Sequence, residues 1–190
     1  MYITNPLFAL LATTSLTTAL PNPNSPPKNK PVKTQDIINA LAGTYTLINT
    51  SSTLNNVPIP DLAYGEAPVG ILTYSRSGYM SATITATEPA LRPNLTFPFQ
   101  ASDLDSDWAL VGKHSIGYAG PFRVNEAIPA NKTSGQVFHG PLVAANVPTW
   151  VGKEQRRNYT IMREGGKTLL RIGSERGGGY RGVLWWKKVD

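Results

Sequence analysis

Gln155 and Arg157 stand two residues apart in Gln155-Arg156-Arg157-Asn158-Tyr159. In an extended segment, residues two apart share a face. Gln155, Arg157, Tyr159 and Ile161 therefore look one way, and Arg156, Asn158, Thr160 and Met162 the other. The first set holds the larger amphipathic and apolar residues and is read as the interior face. A guanidinium placed inside needs acceptors, because burying its charge without them is costly. Two readings follow for Arg157. It binds a carbonyl, enolate or carboxylate of a ligand, or it is a structural arginine bonded to backbone carbonyls or to Glu154. His139, in Val137-Phe138-His139-Gly140, shares a strand face with Val137 and Val143. It is either a general acid or base, or a satisfied core histidine. Tyr118 follows Gly117 and precedes Gly120, where backbone could approach a ligand closely. Tyr74, Tyr79, Phe122, Trp108, Trp150 and Tyr159 supply aromatic walls for a pocket, with ordinary core packing as the competing use.

Composition narrows the chemistry. The chain has no cysteine, which excludes a disulfide framework, a thiolate metal site and a cysteine nucleophile. Its two histidines leave little room for a histidine-based metal cluster, and no metal or other cofactor is expected. Asp103, Asp105 and Asp107 alternate, but the glycine and the closing glutamate of a calcium loop are missing, so charge at a helix N-terminus is the better reading. Gly177–Gly179 lacks the following Lys-Ser or Lys-Thr and the strand-loop-helix setting of a phosphate loop. The net charge of +6 includes three lysines in one Pro-rich stretch, and no basic helix or stripe accompanies it, so nucleic acid is not an expected partner. No apolar run is long enough for an internal membrane span.

The elements that must position these residues are mostly strands. A short helix fits Gln35–Leu41, where Ile37, Ile38 and Leu41 form an apolar face. Strands are expected at 43–52, 69–75, 79–87, 122–128, 135–145, 155–163, 168–174 and 180–189. Arg76-Ser77-Gly78 makes a hairpin turn, with glycine where a positive φ is wanted. Residues 88–100 carry three prolines and read as a loop. Ser102–His114 reads as a helix capped by Ser102 and Asp103 and anchored by Trp108 and Val111. Many short strands with few helices predict an all-β sandwich or an antiparallel barrel. An eight-stranded barrel can enclose one small ligand.

Several segments resemble a family of lipocalin-like domain proteins. Gly43-Thr44-Tyr45 after a short helix is similar to the opening Gly-x-Trp strand of lipocalin-type barrels, with Tyr in place of Trp. Gly70-Ile71-Leu72-Thr73-Tyr74 and Gly78-Tyr79-Met80-Ser81 resemble the second and third strands. Tyr118-Ala119-Gly120-Pro121-Phe122 resembles a further signature. So does Pro148-Thr149-Trp150-Val151-Gly152, followed by Gln155 and Arg157. Leu184-Trp185-Trp186-Lys187 matches the last strand. The resemblance spans about residues 38–189. It implies a closed, eight-stranded, up-and-down antiparallel barrel with an internal cavity, a short N-terminal helix and the 102–114 helix as a cap. The family's histidine lies nearer to the Pro-x-Trp signature than His139 does, so the resemblance supports His139 only in part. Some fungal members accompany natural-product pathways.

Two functions are compatible with these residues. One is a cofactor-independent isomerase or cyclase of secondary metabolism, in which Arg157, Gln155, Tyr118 and His139 polarise or protonate an apolar substrate. The other is a secreted carrier for a hydrophobic small molecule. The oligomeric state is not legible.

Residues 1–19 read as a signal peptide ending at Ala19, and 20–36 as a Pro-rich linker ahead of a barrel domain at 37–190. The expected location is the secretory lumen or outside the cell. Four Asn-x-Ser/Thr acceptors are present. Glycans are expected at Asn94, Asn131 and Asn158. None is expected at Asn49, which shares a face with Tyr45 and Leu47 unless the strand bulges.

Overall fold

A computed structural model describes residues 32–189. The expected signal peptide and most of the linker lie outside the described residues. The elements are α1 (Thr34–Leu41), β1 (Gly43–Leu54), β2 (Val57–Ile59), β3 (Val69–Tyr74), β4 (Tyr79–Thr85), α2 (Asp105–Lys113), β5 (Ser115–Val124), β6 (Ser134–His139), β7 (Ala144–Ala145), β8 (Gln155–Glu164), β9 (Lys167–Glu175) and β10 (Tyr180–Lys188). Short 3-10 turns occupy Pro89–Leu91 and Pro148–Trp150.

The sheet runs β10-β9-β8-β6-β5-β4-β3-β1, and β1 pairs again with β10. That last pairing closes eight antiparallel strands into the barrel that the resemblance implied, and settles the choice between sandwich and barrel that the strand pattern left open. β2 folds back on β1, and β7 pairs with β5. Period-two burial is clearest on β4. Met80, Ala82 and Ile84 are buried, and Tyr79, Ser81 and Thr83 are exposed. Side chains on a strand alternate across the sheet, so this pattern fixes which face is the interior.

α1 covers one end of the barrel. Ile37 and Leu41 are buried in the same core as Tyr45, Leu72, Tyr74, Phe122, Val137, Tyr159, Leu170 and Trp186. Two hydrogen bonds fasten its C-terminus, which would otherwise leave carbonyls unpaired. Tyr45 Oη donates to the Leu41 carbonyl at 2.8 Å, and Lys188 Nζ donates to the Ala42 carbonyl at 2.6 Å.

Four details depart from the sequence reading. Strand β5 begins at Ser115, well before the expected Phe122. Despite Gly117, Gly120 and Pro121, the stretch pairs with β4 from Thr85↔Ser115 to Tyr79↔Pro121. Gly120 is needed there because the 141–143 segment crosses it. A Cβ on Gly120 would lie 3.0 Å from Leu142 Cα. The close approach is thus by the chain itself and not by a ligand.

The expected strand at 135–145 is broken after His139. Pro141 has no N–H to continue the ladder, and the chain leaves the barrel wall before β7. Val143 is 71 % exposed and does not share the buried face of Val137 and His139.

Neither Ser102 nor Asp103 caps α2. The N-cap is Leu104, without a side-chain bond, and Asp105 and Asp107 stand in the first turn. Asp103 Oδ2 instead accepts from the Gln100 N–H at 2.9 Å and from Trp108 Nε1 at 3.1 Å.

The fourth detail is the hairpin that extends β1 past Ser52. It turns at Asn55 and Asn56, both at positive φ (50° and 66°), a backbone that asparagine tolerates.

Candidate functional site

A cavity of about 480 Å³ opens at the end of the barrel marked by the start of β5. Strand residues Ile116, Tyr118, Gln155, Arg157, Ile172 and Leu184 form its walls. Four other segments reach it. Gly112 and Lys113 come from the end of α2, and Val147 and Trp150 from the 146–152 segment. Ala63 and Tyr64 come from the β2–β3 loop, and Arg176 from the β9–β10 turn. A volume of this size falls within the range of pockets that hold small organic ligands, roughly 300–1,000 Å³.

Several of its polar groups are uncommitted. The Tyr64 and Tyr118 hydroxyls and the Gln155 amide make no hydrogen bond to another described residue. Arg157 Nη1 donates to the Arg156 carbonyl at 2.8 Å. Glu154, the alternative structural partner of Arg157, is taken by Arg123 in a bidentate pair at 2.9 Å and 2.9 Å. Burial pushes the Tyr64 hydroxyl up to about 12, against the opposing fields of Arg176 and Arg157. It therefore acts as a neutral donor throughout the physiological range.

Behind Tyr118 lies a sealed polar pair. His139 is 1 % exposed, and its Nε2 stands 2.6 Å from Tyr74 Oη. The Tyr118 and His139 rings lie 6.1 Å apart between centroids, and Tyr118 meets Trp150 edge-on at 5.5 Å. Burial, reinforced by the nearby Arg157 charge, holds the imidazole well below its ordinary pKa. Burial likewise raises the Tyr74 hydroxyl well above the ordinary tyrosine value. Both side chains are neutral at physiological pH. His139 Nδ1 is buried without a hydrogen-bond partner.

The residues singled out in the sequence thus separate into groups. Gln155, Arg157, Tyr118 and Trp150 line the cavity. His139 and Tyr74 sit behind its wall. Phe122 is 4 % exposed and packs on Tyr74 with ring centroids 4.7 Å apart, so it belongs to the core. Tyr159 is also core: its ring is 2 % exposed, and its hydroxyl donates to the Asn131 carbonyl at 2.6 Å. Tyr79 is no wall residue, at 58 % exposure. The Tyr74↔Met80 register sends Met80 inward and Tyr79 out.

Tyr64, Lys113 and Arg176 escaped the sequence reading. They come from a loop, a helix end and a turn that meet only once the barrel closes. The three glycines after Arg176 were a usable signal. All three adopt positive φ (82°, 56° and 78°), which marks a tight turn that carries Arg176 at its start.

Asn94, Asn131 and Asn158 are exposed. Asn49 is exposed as well, contrary to the expectation from strand alternation. The register of β1 against β10 shifts between Leu47 and Asn49. This bulge inserts Ile48, turns Asn49 outward and restores the inward set at the buried Ser52.

A family model described as a lipocalin-like domain matches residues 42–189. No curated protein matches the chain.

Proposed function

The chain belongs to the lipocalin-like domain family, and we propose that its cavity binds a mostly apolar small molecule and isomerises or cyclises it. The supporting observation is the set of uncommitted donors at Tyr64, Tyr118 and Gln155, with the remaining N–H groups of Arg157, within walls made by Ile116, Ile172, Leu184 and Trp150. Apolar walls hold the ligand frame, and a few fixed polar groups orient it. The same donors can hold the carbonyl oxygen of a bound ligand and stabilise negative charge that builds up on it. Placement of a flexible chain against itself can contribute up to about 7–11 kcal/mol to a ring closure. His139 and Tyr74, neutral and sealed behind Tyr118, position that wall and do not touch the ligand directly. A setting in natural-product metabolism agrees with such a substrate. A carrier without turnover is the competing reading, favoured by how little of the cavity's chemistry is needed for binding alone.

The test uses prodan, a fluorescent apolar ketone whose emission shifts to the blue in a dry site. Prodan should bind the wild type, and Arg157→Ala should weaken it roughly 10- to 100-fold, the loss expected for a hydrogen bond from a charged donor. Circular dichroism should show the variant folded. Unchanged affinity in a folded Arg157→Ala would refute the assignment of Arg157. Conversion of an unsaturated apolar ketone into an isomer by the wild type separates the enzyme from the carrier, which would return it unaltered.

A further inference from the structure

Four ionised side chains line the cavity: Lys113, Arg157, Glu175 and Arg176. Two of them are already paired outside it. Glu175 faces Arg156 at 3.5 Å and Arg181 at 3.8 Å. Arg176 stands 3.8 Å from Asp61, whose carboxylate is 6 % exposed and accepts the Ser52 hydroxyl at 2.7 Å. Arg157 and Lys113 are left. Neither has a carboxylate partner among the described residues, and Glu154, next along the chain, is held by Arg123.

Arg157 is half-buried in β8, and its field reaches Tyr64, Tyr74 and His139. An arginine keeps its charge whatever its surroundings, so it cannot escape the cost of burial by losing a proton. One backbone carbonyl leaves most of its N–H groups without an acceptor. His139 is neutral and adds no competing charge. A ligand that displaces solvent from these N–H groups must itself supply the acceptor, and a full negative charge satisfies it best.

We propose that the ligand is an organic anion, with a carboxylate or enolate oxygen at Arg157 and Tyr118 and an apolar frame along Ile116, Ile172 and Leu184. This rests on the binding reading above and narrows its mostly apolar small molecule to one that carries a negative charge. Lys113, exposed at the mouth, draws such anions in from solvent, and its contribution falls as salt screens it.

The experiment is displacement of prodan by two molecules of equal length and shape, decanoate and decanamide, at neutral pH. Decanoate should bind roughly 10- to 100-fold more tightly than decanamide, as expected for a charge-assisted hydrogen bond. Arg157→Gln should bring the two to parity. Lys113→Gln should leave a preference for decanoate but flatten its dependence on salt, which keeps the proposal testable if Arg157→Gln fails to fold. Equal binding of the two in the wild type overturns the anion assignment and leaves the cavity as the site. Absence of displacement by either, with prodan bound, also overturns it. Failure of prodan itself to bind removes the binding reading as well.

Discussion

Trp186→Ala is expected to lower the stability of the protein by about 3–5 kcal/mol, the range for removing a large aromatic from a packed core. Trp186 is 1 % exposed on β10. It is paired across the strands with Leu47 of β1 and Leu170 of β9. The β1–β10 ladder is the seam that closes the barrel, so the ring packs where closure depends on it. A domain of this size has about 5–15 kcal/mol in total, and the loss would take a large part of that. Trp186→Phe separates packing from polarity. The indole Nε1 is buried without a partner, so removal of that N–H should relieve a desolvation cost while most of the ring volume stays. The Phe variant should therefore lose much less than the Ala variant. Urea denaturation measures both. A loss under about 1 kcal/mol for Trp186→Ala would mean that the seam is not packed as described.

The second large effect is a loss of stability in mild acid that His139 controls. The imidazole is held neutral in the fold, well below its ordinary pKa of 6.5, by burial and then by the Arg157 charge. The unfolded chain protonates its histidine near the ordinary value. Between that value and the depressed folded pKa, the unfolded state binds a proton that the native state does not. Stability contributed by neutral His139 is therefore fully present above about pH 6.5 and falls as pH drops below it, by roughly 1 kcal/mol per pH unit. The groups nearest the ring do not offset this: Arg157 opposes protonation, and burial keeps Tyr74 neutral. His139→Gln keeps a side chain that can pair with the Tyr74 hydroxyl but cannot titrate. Its stability curve should run flatter than that of the wild type below pH 6.5. Parallel curves would show that His139 takes up a proton in the folded protein as readily as in the unfolded one.

How much of this was legible follows from what each residue's position depends on. Strand alternation is local, so Gln155 and Arg157 could be placed on the inner face of β8, and the β3–β4 hairpin could be found from Gly78. Tyr79 was misplaced because an aromatic residue beside a turn carries no mark of which face its register selects. Ser115–Pro121 was missed for a different reason. Glycine and proline argue against a strand, and the demand that Gly120 lie under Leu142 is tertiary. Asn49 depended on a one-residue bulge in β1 that alternation cannot foresee. Tyr64, Lys113 and Arg176 lie far apart in sequence, and the cavity they complete exists only at the open end of the closed barrel.

A ligand is expected to occupy the barrel cavity. The direct measurement is the set of intermolecular nuclear Overhauser contacts between bound prodan and isotope-labelled protein. The Ile116, Ile172 and Leu184 methyl groups line the cavity, and contacts to them are the predicted result. Phe97, Phe99 and Trp108 line a separate shallow groove. Contacts confined to those three rings would contradict the claim and move the binding site out of the barrel.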